Sequence, residues 1–184
     1  MAVASTSAPK PWAPAGKLAV GAVLAAVVGL VVLERLYREL EIRLAGLVLN
    51  VVTSEGVHVV GERETVYFGL SGENPLGLRM TPECSSAFML IPLLLVTAVF
   101  LWLKPQNMKR LFVSLFIACA AIVVVNQGRI LTIVGLVEWM GVDRGYYWGH
   151  TLLGSLVSVI GGAVALVLFV WLGTRRSKAE RRRA

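Results

Sequence analysis

The chain has 184 residues, 57% of them hydrophobic, with a formal net charge of +7 and a mean hydropathy of +0.74. That balance is too apolar for an ordinary soluble domain and marks a membrane protein. The two cysteines, Cys84 and Cys119, exclude a disulfide framework and a Cys-x-x-Cys relay. Two histidines without a His-Glu-x-x-His pattern leave a metalloprotease no ligand set, so no metal and no cofactor are expected.

Residues 1–17 are rich in Ala, Ser and Pro and read as a disordered cytoplasmic leader. The apolar run Leu18–Leu33 follows, close to the roughly 20 residues that cross a bilayer. Its end, Val31-Val32-Leu33-Glu34-Arg35, lacks the small-residue pattern of a signal-peptide cleavage site, which predicts a retained span. Beyond it Leu33, Leu36, Tyr37, Leu40, Leu44 and Leu47 recur at helical spacing among charged residues, predicting an amphipathic helix on or just above the membrane. Val57–Val60 and Thr65–Phe68 flank Gly61-Glu62-Arg63-Glu64 as a small hairpin. A loop with Gly69, Gly72, Asn74, Pro75 and Gly77 leads to Thr81-Pro82-Glu83-Cys84-Ser85-Ser86, where polar sequence turns apolar.

Three more apolar runs follow, about Ser85–Leu103, Leu111–Val134 and His150–Leu172. The expected fold is an all-α membrane protein: four transmembrane helices, with an extracytoplasmic amphipathic helix and a small β-hairpin in the first outer loop. Residues 18–173 form the membrane domain, its outer loop is about 34–83, and 174–184 are a basic cytoplasmic tail. Four spans place both termini on one face. Lys104, Lys109 and Arg110 sit in an acid-free connection on that face, which the positive-inside rule makes cytoplasmic. The loop Glu34–Glu83, with eight acids against five arginines, lies outside. Trp102 and Trp171 mark the inner interface, and Trp139, Tyr146, Tyr147 and Trp148 the outer one. The tail residues Arg175, Arg176, Lys178 and Arg181–Arg183 adjoin a span, so their partner is anionic lipid rather than nucleic acid. Gly21, Ala25 and Gly29 in the first span, and Gly154, Ser158 and Gly162 in the last, read as helix-packing seams.

This topology brings the polar residues together. Cys84 opens the second span and His150 the fourth, both at the outer side. Asn126 and Arg129 share one face of the outer half of the third. Arg129 lies about five residues, or about 8 Å, inside the apolar boundary. Insertion there costs about 2.5–3.5 kcal/mol, so it is expected to face the bundle interior or a wet cavity. Thr81 as N-cap and Pro82 at the first helical position put Cys84 third in the helix, where backbone amides and the helix's positive end favour a thiolate. Glu83 opposes this unless it faces water or pairs with Arg79. Singly, each residue has a plainer role: the cysteine as small filler, the arginine snorkelling to headgroups, the histidine at the interface. Cys119 lies about 22 Å below the outer end of its span at the helical rise and reads as packing. His58 reads as a surface residue.

The pattern Pro82-Glu83-Cys84-Ser85-Ser86, then Asn126-Gln127-Gly128-Arg129-Ile130, then His150 resembles the exosortase/archaeosortase family, with histidine in the last place as in its bacterial branch. The resemblance covers about Thr81 to Gly154. It departs in Ser86, where many members have glycine, and in having four spans where many have about eight. It implies a membrane-embedded cysteine transpeptidase or endopeptidase. Cys84 is then the nucleophile, Arg129 stabilises the oxyanion or positions the thiolate, and His150 is the acid and base. Ser85 and Asn126 are the substrate-binding residues, Asn126 orienting Arg129 or the substrate backbone. The implied partners are exported proteins with a C-terminal motif, a transmembrane helix and a basic tail. Water or a lipid-linked amine resolves the thioester. The competing readings are a four-span scaffold or assembly factor whose outer loop binds a partner, which leaves Arg129 without a task, and a small transporter or channel in which Arg129 selects anions, against which stand the single buried charge and the lack of paired broken helices.

Overall fold

The computed structural model describes residues 14–53, 56–70 and 75–175. Helix α1 is Pro14–Val32. It takes in the last four residues of the expected leader, whose residues 1–13 lie outside the described residues, as do 176–184 of the basic tail. After a break at Leu33, α2 runs from Glu34 to Val52. Strands β1 (Val57–Val60) and β2 (Thr65–Phe68) form the expected hairpin, closed by a 3-10 turn at Gly61–Arg63. The sequence reading missed a third strand, β3 (Leu76–Arg79), which makes the sheet antiparallel with order β1-β2-β3. Helix α3 is Ala87–Leu103 and α4 is Met108–Met140. A short α5 (Val142–Tyr146) passes through a π-helical stretch, Tyr147–Leu153, into α6 (Gly154–Thr174).

The protein is mostly helical, and among the described residues three segments are long and apolar enough to cross a membrane: Pro14–Val32, Pro105–Met140 and Val142–Thr174. The second expected span is shorter than its apolar run. Pro82–Cys84 winds a separate 3-10 turn and Ser85 is extended at φ −81°, ψ 143°, so the α-helical ladder begins only at Ala87. Its 17 residues reach about 25 Å at the helical rise, against a hydrocarbon core of about 30 Å. The third run is longer than expected, because the helix continues through Gly135, Leu136 to Met140 hold neither Gly nor Pro, and only Gly141 turns the chain, at φ +80°.

Helix α1 packs along α3, and α4 along α6. One core joins all four through Val23, Leu93, Leu101, Leu111, Ala118 and Phe169, with Phe100 edge-on to Phe169 at 6.0 Å. At the end remote from the sheet, the Arg110 Nε–H donates to the Leu172 carbonyl at 2.7 Å. The two small-residue seams diverge here. A Cβ on Gly21 or Gly29 meets nothing within 4 Å, and Ala25 is exposed, so the α1 seam joins no helix among the described residues. The α6 seam faces inward.

A second core lies under the sheet, where Ile42, Ala45 and Leu49 of α2 meet Val66 and Phe68 and reach Ile130, Ile133, Val134 and Val137 of α4. Helix α2 therefore works on two sides. Leu33, Leu36, Leu40, Leu44 and Leu47 are exposed, as a helix lying along a membrane requires, while the opposite face is buried. Gly46 admits the close approach, since a Cβ there would collide with Val59. The hairpin turn is held by Glu64, left-handed at φ 52° and paired with Arg38 at 3.2 Å.

Candidate active site

Cys84 closes the 3-10 turn after β3 and is buried against the second core. Its Sγ lies 2.9 Å from Nε2 of His150, 3.6 Å from Nη2 of Arg129 and 3.4 Å from the hydroxyl of Thr81. The Thr81 hydroxyl, expected to cap a helix, makes no backbone cap and donates to the sulfur. Pro82 does open the turn, with Cys84 third in it.

Arg129 reaches this point from inside α4 and is only 5% exposed, which answers the cost of its depth: it faces protein rather than lipid. Its Nη1 donates to the Glu83 carbonyl at 3.2 Å and to Ser158 Oγ at 3.1 Å. Its Nε is buried without a partner. Among the described residues no carboxylate lies within ion-pair distance of it. Neutral acceptors thus fix the guanidinium with Nη2 turned toward the sulfur. The α6 seam makes room for it. A Cβ on Gly154 would stand 2.8 Å from Arg129 Nε and 2.7 Å from the Gly149 carbonyl.

His150 sits in the π-helical stretch, a local widening found mostly at functional sites. Gly145 and Gly149 let this backbone press against α4: a Cβ on Gly145 would strike the Leu136 carbonyl, and one on Gly149 would meet Ile133 Cα at 3.1 Å. Tyr146, one turn earlier, stacks on the imidazole with centroids 4.9 Å apart and planes 12° from parallel. Glu83 is exposed and is not paired with Arg79 among the described residues. Its own backbone N–H, the largest cause, holds its carboxyl below the usual range, so it stays ionised and solvated at neutral pH.

The residue the sequence reading missed is Glu41. Its carboxylate, 5% exposed, accepts from Ser85 Oγ at 2.8 Å, from the Ser86 N–H at 3.1 Å and from Asn126 Nδ2 at 2.7 Å. Ser85 and Asn126, the two expected substrate-binding residues, are both buried and both bound to this carboxylate, and Asn126 has no bond to Arg129. Glu41 thereby ties α2, the segment after the cysteine, and α4 together. A signal existed: Glu41, Ala45 and Leu49 are four apart, on a face turned away from the leucine stripe. Ser86 bonds the Tyr37 hydroxyl at 2.7 Å, and burial raises that phenol above its ordinary value, so it remains a neutral hydroxyl. Cys119 is half-buried in the first core and His58 is exposed on β1, as the sequence indicated. An apolar groove of ≈ 310 Å³ runs between α3 and α6, lined by Phe88, Met89, Pro92, Ser158, Val159 and Gly162. Ser158 joins it to the arginine.

A thiol, an imidazole and a guanidinium at one end of an apolar helical bundle define a membrane protein with a thiol centre. The chain belongs to the transmembrane exosortase family: the family profile described as Transmembrane exosortase (Exosortase_EpsH) matches residues 12–171, which include all three groups. No match was found among curated proteins or among solved structures.

Proposed function

We propose that the protein is a cysteine transpeptidase or endopeptidase that cleaves C-terminal sorting signals of exported proteins at the outer face of the cell membrane. The observation that carries this reading is the Sγ–Nε2 separation of 2.9 Å with Arg129 Nη2 at 3.6 Å from the same sulfur. On this reading α3 crosses the bilayer with the help of its flanks, both termini are cytoplasmic, and the sheet and α2 roof the site.

The chemistry follows from the geometry. His150 Nε2 takes the thiol proton and Sγ attacks the scissile carbonyl carbon. Arg129, which forms no ion pair among the described residues, steadies the thiolate and then the oxyanion. The carbon–nitrogen bond breaks, the imidazolium returns its proton to the leaving amine, and a thioester on Cys84 remains. His150 then deprotonates the acceptor, water or a lipid-linked amine, which attacks the thioester and frees the thiol. Tyr146 holds the imidazole in plane, and Glu41, with Ser85 and Asn126, holds the cysteine turn against α4. These are positioning residues.

The test is co-expression with a membrane-anchored protein carrying a C-terminal motif, span and basic tail. The tail is lost with the wild-type chain and retained with Cys84→Ala, at equal membrane levels of both. Equal retention with and without the wild-type chain would end the peptidase reading.

A further inference from the structure

The groove that leads to the thiol is bounded by the free edge of β3. The register pairs Val66 with Leu78 and Phe68 with Leu76, and the Met80 N–H donates to the Glu64 carbonyl at 2.8 Å, in phase with that register. Hydrogen-bonded pairs alternate along an antiparallel ladder, so Leu76, Leu78 and Met80 turn their backbone groups to β2. The N–H and C=O of Gly77 and Arg79 then point out of the sheet, and among the described residues nothing pairs with them. An edge left open in this way is a template for another strand.

This edge is not covered by the neighbouring helices. Between it and the corner of α4 and α5 lies an open groove of ≈ 380 Å³, lined by Leu76, Gly77, Arg79, Thr81, Val137 and Tyr146. Its lining includes two groups of the site: Thr81, which donates to the sulfur, and Tyr146, which stacks on His150. A void of ≈ 10 Å³ bounded by Arg79, Met80, Cys84 and Arg129 continues behind the thiol. The groove combines apolar walls with one row of unpaired backbone donors and acceptors. That chemistry suits an extended peptide, whose own backbone completes the ladder while alternate side chains enter the walls.

We propose that the substrate's scissile segment binds as a fourth strand on β3, bonded to Gly77 and Arg79, and is led by that edge to Cys84. This rests on the peptidase reading and adds to it how the substrate is held: by backbone pairing, with the alternate side chains giving specificity. Leu76 and Val137 line the apolar subsites. Arg79 is exposed and without an ionic partner among the described residues.

The test uses the full-length protein in nanodiscs, short peptidyl chloromethyl ketones of mixed sequence, and mass spectrometry of Cys84. Sγ displaces chloride from the probe, and rates are expressed relative to iodoacetamide on the same protein. A single backbone N-methyl group is moved one residue at a time along the probe. Pairing with β3 predicts that N-methylation slows labelling about 2- to 10-fold at every second position and leaves the positions between unaffected. Arg79→Pro, which removes an outward N–H and spares the bonds to β2, lowers the relative peptide rate in wild-type probes by a similar factor. A scan without the alternation, or peptides no faster than a single-residue chloromethyl ketone, would overturn the strand. If Cys84 reacted with neither the peptides nor iodoacetamide, the nucleophile itself would fail, a result distinct from loss of the edge.

Discussion

Two stripes of small residues with the same four-residue spacing have opposite fates in this chain. Gly21, Ala25 and Gly29 of α1 face open space, whereas Gly154, Ser158 and Gly162 of α6 face α4 and α3, and Gly154 and Ser158 meet the guanidinium of Arg129. The difference extends to the helix pairs that carry them. Helices α1 and α3 meet through apolar side chains such as Val23 and Leu93, while α4 and α6 meet around Arg129, with His150 on the segment that enters α6. A small residue in a membrane helix therefore has no fixed meaning. What matters is the group on the facing helix, here a charged fork that needs space and a hydroxyl acceptor.

That contrast can be broken at graded depths. Cys84→Ala has the largest effect, loss of all processing, whereas Cys119→Ala, in the first core, leaves processing intact; both are read as tail release in the co-expression assay. Arg129→Lys keeps the charge but loses the planar fork that serves Glu83, Ser158 and Cys84 together. It lowers kcat/KM by about 10²–10³, the range seen when one oxyanion donor is lost. Wild-type activity in this variant would reduce Arg129 to a source of potential. Glu41→Ala strands three buried donors at about 1–3 kcal/mol each, so it lowers the melting temperature together with kcat. Glu41→Gln, which retains acceptor oxygen, recovers part of both. Gly154→Ala pushes on Arg129 Nε and on the Gly149 carbonyl, so it costs about 10-fold in kcat and lowers the melting temperature as well. Gly21→Ala or Gly29→Ala, set in open space, changes stability by less than about 0.5 kcal/mol. A marked loss in either α1 variant would show that its seam meets a partner after all.

Much of this site was legible in the sequence, and the rest was hidden for identifiable reasons. Cys84, Arg129 and His150 stood out because hydropathy sets the depth of each in its span, and an arginine in an apolar run is conspicuous. The hairpin Val57–Phe68 was carried by β-branched residues around a tight turn. Glu41 did not stand out, since it is one of several acids in an amphipathic helix whose leucines caught the eye. Those leucines prove to be the exposed face. Strand β3 was obscured by glycine and proline around a four-residue run, and its pairing is set by β2 rather than by its own composition. The cysteine's turn reads from the sequence as part of α3, because nothing in Ser85-Ser86 announces that both residues bond across the molecule, to Glu41 and Tyr37, instead of continuing a helix. Ser86, the departure from the family's frequent glycine, thereby has a partner of its own.

The most direct test of the central claim, that His150 and Arg129 make Cys84 a nucleophile, is pulse alkylation with iodoacetamide in native membranes, followed at both cysteines by mass spectrometry. The account predicts that Cys84 is modified at least about 10-fold faster than Cys119, and that His150→Ala and Arg129→Lys each slow Cys84 alone. Equal rates at the two cysteines, or a Cys84 rate that neither substitution changes, would contradict it.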